Sequence, residues 1–298
     1  MSGIRSCFRF GLRMPLLLTA VLSVVCATIE RDARNTRRCW ATLQKLDARV
    51  RFDIDQEYAP TTFFQRFAER YFGKEYAGDI TYIYVLNQTV TQDVVDTIVP
   101  LRKLVTLRVI DSNFTDDAAR RLAECRSLEW LDLCNCNLST TAIQSVATLR
   151  HLKTLQISSG KLSPEAIDAI STMQSVRTLF LDDCDLDDED VARLCENRDL
   201  EELFLDDNHI TDTAISHLRK LERLHFLTIR RTAVTDDAVN DICAMKSLKH
   251  VFTQGSRLTI PSLQRIEAAH SIRILDLNVV PDNLAPALPP PQQPVQQP

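Results

Sequence analysis

The sequence predicts an α/β solenoid in which short parallel strands alternate with helices, preceded by an apolar N-terminal segment. Three observations carry that prediction. An apolar residue opens a new unit every 24 positions, at Ile80, Leu104, Leu128, Leu152, Val176, Leu200, Leu224, Leu248 and Ile272, and a fixed period of this length marks a stack of structural repeats. Apolar residues follow at +3 and usually at +5, as in Leu128, Leu131 and Leu133, which is the alternation of a strand. Others stand at +15 and +18, as Ile143 with Val146 and Ile215 with Leu218, which is the spacing of one helix face.

The N-terminal segment comes first. Arg5, Arg9 and Arg13 precede an uncharged run over 14–29, MPLLLTAVLSVVCATI, and Glu30, Arg31, Asp32 and Arg34 then restore charge. The run is slightly shorter than the roughly 17–25 residues that usually cross a bilayer, a gap that tilt and snorkelling arginines can close. Residues 1–30 are therefore expected to be a single-pass signal anchor. The alternative is an export signal cleaved after Ala27, with the protein released. Arginines flank both sides, Arg37 and Arg38 among them, so the positive-inside rule leaves orientation open.

Residues 31–79 fall outside the 24-residue pattern. They hold a predicted helix from Asp32 to Leu46, an alternating strand at Val50, Phe52 and Ile54, and an aromatic stretch of Phe63, Phe64, Phe67, Tyr71 and Phe72. An open solenoid end exposes core leucines, so this region is expected to cap it. The repeats occupy 80–280. At +10 an apolar residue recurs, and +11 is usually Thr, Ser or Asp with acids just after it, as in Thr115-Asp116-Asp117 and Thr235-Asp236-Asp237. That pattern suits a helix N-cap and the positive end of the helix dipole. Residues 281–298 contain PALPPPQQPVQQP, a composition expected to be a disordered, partly extended tail.

The unit from Leu200 to Leu218 reads L-x-x-L-x-L-x-x-N-x-I-T-D-x-x-I-x-x-L and resembles the leucine-rich repeat, in its cysteine-containing, ribonuclease-inhibitor-like form. The resemblance implies a right-handed solenoid with parallel strands on the concave face and helices on the convex face. It also implies that the +8 residue bonds backbone inside the turn. Here +8 holds Cys136, Cys184 and Asn208, but also Ser112, Gly160, Thr232 and Ser256. The Arg-flanked apolar start and the T-D-x-A units further resemble membrane-anchored repeat proteins of planctomycete-type bacteria.

Neighbouring strand residues alternate sides, so +2 and +4 share the face opposite the core leucines. Those columns hold Tyr82, Tyr84, Arg108, Trp130, Asp132, Phe180, Glu202, Phe204, Phe226, His250 and Phe252. Rigid aromatics with arginine are the residue types that anchor protein interfaces, so these are the expected partner-binding residues. Cover of one ring by the next across the sheet is the competing explanation.

Other features point to less. Net charge is −5, with no basic footprint for nucleic acid. The six glycines build no phosphate-cradling loop, so no nucleotide is expected, and neither another cofactor nor a small-molecule substrate is. Nine cysteines, an odd number, read mostly as free thiols. Asp182, Asp183, Asp206 and Asp207 could in principle hold a divalent cation, but Arg230 and Arg231 one unit later explain them by pairing, so no metal is expected. Cys134 and Cys136 lack a second pair for zinc and should point to opposite faces. The N-x-T/S triplets at Asn87, Asn113 and Asn137 follow from turn chemistry. No nucleophile is paired with a base, so no enzymatic activity is expected. The expected function is a membrane-tethered protein-interaction scaffold, with a structural envelope component as the rival.

Overall fold

A computed structural model describes residues 30–52, 79–158, 160–269 and 272–274. The expectations for 14–29, for the aromatic stretch and for 281–298 lie outside those residues. Among the described residues no helix is long and apolar enough to cross a membrane.

The repeat closes as its periods require. One ten-stranded sheet runs through the molecule in the order β1 (Arg49–Phe52), β2 (Ile80–Leu86), β4 (Thr106–Ile110), β6 (Trp130–Asp132), β7 (Thr154–Gln156), β8 (Thr178–Phe180), β9 (Glu202–Phe204), β10 (Phe226–Thr228), β11 (His250–Phe252) and β12 (Arg273–Ile274). From β2 onward every pairing is parallel. Leu107, Leu131, Leu155, Leu179, Leu203, Leu227 and Val251 pair in a single row. Two further short strands, β3 (Thr89–Val90) and β5 (Asn113–Phe114), pair after the first turns.

The period does not hold throughout. Val251 pairs with Ile274, a step of 23 residues rather than 24. Ile272 is still buried, as its place in the pattern predicts. The pairing slips because β12 has two residues and, among the described residues, a neighbour on one side only, so little fixes its register.

Helices follow the strands: α2 (Gln92–Ile98), α3 (Asp116–Leu122), α4 (Thr140–Val146), α5 (Pro164–Ser171), α6 (Asp188–Leu194), α7 (Asp212–Leu218), α8 (Val239–Ala244, entered through a 3₁₀ turn at Asp236–Ala238) and α9 (Ile260–Ala268). The core between sheet and helices is built from the +0, +3 and +5 leucines with the inward helix positions, for example Leu128, Leu131, Leu133, Ile143 and Val146. Burial of one such leucine stabilises the fold by about 1.5–3 kcal/mol.

Helix starts lie where the +11 pattern places them. Thr115, Ser139, Ser163, Asp187, Thr211 and Thr235 accept hydrogen bonds from backbone N–H groups of the turns they begin, each worth about 1 kcal/mol. Thr91 and Thr259 make no such bond. The acid at +12 has a second job that propensity alone does not reveal. Asp188, Asp212 and Asp236 each accept from the backbone N–H and the hydroxyl of the next unit's threonine, Thr211, Thr235 and Thr259. The Thr-Asp pair thus begins one helix and ties it to the next.

Turn interiors follow the +8 expectation. Asn208 accepts from the N–H of Cys184 and of Leu186, and its amide donates to the carbonyls of Leu181, Leu205 and Asp206. Cys136 and Cys184 donate to Val109 and Ile157 carbonyls, and Ser112 and Thr232 to those of Ile110 and Ile229. One position earlier the backbone turns left-handed at Asn87, Asp111, Asn135, Asp183, Asp207, Arg231 and Gly255. Asn and Asp tolerate that region because their short side chains bond locally, which is why +7 favours them. Arg231 is the exception, and its side chain pairs with Asp207.

On the N-terminal side the described residues continue the core and the sheet. A helix over 30–45, α1, buries Cys39 and Leu43 in the same core as Ile80 and Ile83. Strand β1, which contains the expected Val50 and Phe52, pairs antiparallel with β2, Val50 opposite Ile83. The reversal of strand direction closes the parallel stack.

Candidate interaction face

The sheet brings all eleven candidate residues onto one side, but it treats them unequally. Because +3 and +5 point into the core, +2 and +4 stand on the opposite surface, one strand about 4.8 Å from the next. Between β6 and β11 the aromatics form a series of ring contacts that passes over β7. Trp130 lies 6.1 Å from Phe180, Phe180 stacks on Phe204 at 3.9 Å, Phe204 lies 5.1 Å from Phe226, and Phe226 lies 5.4 Å from Phe252 and 6.0 Å from His250. Arg230 extends the series, its guanidinium 5.6 Å from the Phe252 ring centre, a cation–π distance.

The earlier strands carry charge instead. Arg108 donates to Asp132 at 2.8 Å, and Asp132 is 0% exposed while Arg108 is 18% exposed. The other Asp132 oxygen accepts from the Cys134 backbone N–H. Arg108 also sits 5.8 Å from the Tyr84 ring, with Arg49 at 5.9 Å on the same ring.

Burial corrects the expectation of a freely exposed face. Asp132 is sealed beneath Arg108, and Phe226 and Phe252 are 3% and 6% exposed, so these three support their neighbours and present almost no surface themselves. Tyr82, Tyr84, Arg108, Trp130, Phe180, Glu202, Phe204 and His250 are half-buried. The rings therefore do cover one another across strands, and what remains open is a stripe of ring faces and edges. Sequence reasoning missed Arg230 and Arg49 as ring partners. The signal was a basic residue beside an aromatic column: Arg230 had been assigned only to its acids.

Polar groups around the stripe are arranged across units. Asp182 accepts from the Asp206 N–H, and Asp206 accepts from both the backbone N–H and the Nε of Arg230. Arg231 pairs with Asp207. The expected pairing of the acids with Arg230 and Arg231 is thus present. Burial, together with the Asp206 charge, raises the Asp182 carboxyl to about 6. Burial also raises Glu202, against the hydrogen bond it accepts from Thr178, and His225 approaches Glu202 at 3.6 Å. His250 is lowered by burial and by the nearby Arg273, His225 and Lys249, so its neutral form is favoured.

Burial pushes the thiols of Cys39, Cys134, Cys136 and Cys195 up to about 12 and raises Cys184 as well, so they stay protonated and unreactive. The seven described cysteines are free. The expectation that Cys134 and Cys136 point to opposite faces has no basis in alternation, since residues two apart share a face in a strand. Both are buried, on either side of the left-handed turn at Asn135. No group of three His, Cys, Asp or Glu among the described residues could hold a metal ion.

Comparison with known proteins adds one match. The Leucine Rich Repeat family model matches residues 127–149, one unit of the stack, from β6 through α4. No curated protein matches the chain significantly. The matched unit recurs on both sides of 127–149 with the same strand, turn and helix, paired strand to strand at 24-residue steps, an architecture that fits a leucine-rich-repeat protein.

Proposed function

We propose that this chain is a non-catalytic protein-interaction scaffold that binds a protein partner on the open face of its sheet and is tethered to a membrane through 14–29. The observation that carries the reading is the series from Trp130 to Phe252. Cross-strand cover alone stabilises a sheet by about 0.2–1 kcal/mol per pair; beyond that cover, Trp130, Phe180, Phe204 and His250 stay half-buried rather than sealed. Half-open aromatics flanked by arginine are the groups that dominate interface energetics. The tether rests on the composition of 14–29 with its flanking arginines; if the segment is cleaved, the same face serves an exported protein.

The test is a crosslinking pull-down from the native membrane fraction, comparing wild type with a Trp130→Ala, Phe180→Ala, Phe204→Ala variant shown by circular dichroism to remain folded. Loss of a specific partner supports the reading. An unchanged set of partners contradicts it and leaves the rings as sheet packing.

A further inference from the structure

We propose that the aromatic stripe is occupied, when no partner is bound, by this chain's own proline-rich segment, residues 283–298, laid across the strands in an extended polyproline conformation. The inference rests on the face being a binding surface and names what competes for it.

Chemistry selects the occupant. Proline-rich segments recognise aromatic-lined surfaces because their rings pack flat on aromatic faces and little conformational entropy is lost on binding. Residues 283–298 carry no charge. Beside the stripe Arg230 already pairs with Asp206, so an uncharged occupant needs no new ion pair there.

The spacing agrees. Polyproline has three residues per turn and rises about 3.1 Å per residue, so one face recurs every ~9.3 Å. Strands ~4.8 Å apart place every second strand at about 9.6 Å. Leu288, Pro291 and Pro294 share one such face. The last described residue, Ile274, belongs to β12, next to β11 and its Phe252. Returning from β12 to Trp130 on β6 crosses six strand intervals, about 29 Å, and extended residues 283–298 span about 50 Å. Tethering gives such a segment an effective concentration of about millimolar, so modest affinity is enough.

A second observation points to the same face. Four side-chain polar atoms among the described residues are buried without a hydrogen-bond partner, and three of them, Trp130 Nε1, Thr228 Oγ1 and His250 Nδ1, belong to the +2 and +4 columns. Polyproline backbone has no internal hydrogen bonds, so its carbonyls are free to accept from donors on this face.

The test uses the full chain with Leu288→p-benzoylphenylalanine, irradiated and mapped by peptide mass spectrometry at two protein concentrations. Crosslinks within one chain to the strands between Trp130 and Phe252, in a proportion independent of concentration, are expected. They should be lost when Pro289, Pro290, Pro291 and Pro294 are all replaced by serine. Crosslinks between chains that rise with concentration would assign the stripe to a second copy and overturn the proposal, as would crosslinks to the helices or none at all. Failure here with the partner still lost in the triple variant removes this inference alone. Intrachain crosslinks with an unchanged set of partners keep it and remove the partner reading.

Discussion

The early and late strands of the open face use the same column of positions in opposite ways. At +4 the early strands place Arg108 against a fully buried Asp132, whereas the late strands place Phe180 flat on Phe204. Neighbouring units hold equivalent residues in register, so whatever one unit offers must suit the next: a charge must meet its opposite, a ring another ring. The turn interiors also vary from unit to unit, Cys136 and Cys184 making weak thiol bonds and Asn208 making five amide bonds. A repeat scaffold therefore fixes where a side chain stands and leaves its chemistry to the unit.

The contrast can be broken most severely at the early charge pair. Asp132→Ala leaves Arg108 without its partner and the Cys134 N–H without an acceptor, and urea unfolding should show a loss of about 3–5 kcal/mol. In the turn interiors, Asn208→Ala strands several buried backbone groups and should cost about 3 kcal/mol, against about 1 kcal/mol for Cys136→Ala. Equal losses at the two sites would erase the distinction between the turns.

Asp182 sharpens the late half through pH. Its folded value, about 6, lies above the 3.8 of a free aspartate. The stability it contributes is therefore full below about pH 4 and lost as pH rises through about 6, by up to about 3 kcal/mol. Asp182→Asn keeps an acceptor for the Asp206 N–H, so chemical denaturation should show it more stable than wild type at pH 7 and level with it at pH 4. The smallest effect belongs to the exposed Arg231–Asp207 pair: Asp207→Asn, which keeps a residue that tolerates the left-handed turn, should cost less than about 1 kcal/mol, and raised salt should diminish the difference.

Much of this architecture was legible in the sequence because a repeat states each rule several times. The strand and helix periods, the +11 caps and the +8 interior residues each recur, so single exceptions such as Gly160 did not obscure them. The one-residue slip at β12 was not legible, since Ile272 satisfies the pattern while pairing is decided by the neighbouring strands. The candidate face was legible as a column but not as a surface. Nothing in the sequence distinguishes Asp132, sealed beneath Arg108, from the half-buried Glu202 in the next column. The role of +12 acids in joining units was equally hidden, because acid after threonine already has a sufficient local reason in the helix dipole.

The claim that the late strands form the recognition surface is tested most directly by quantitative crosslinking recovery of the partner with two folded variants, Phe180→Ala with Phe204→Ala on the late strands and Tyr82→Ala with Tyr84→Ala on the early ones. The late variant should lose the partner while the early variant keeps most of it. Equal recovery by both variants, or loss confined to the early one, would contradict the account.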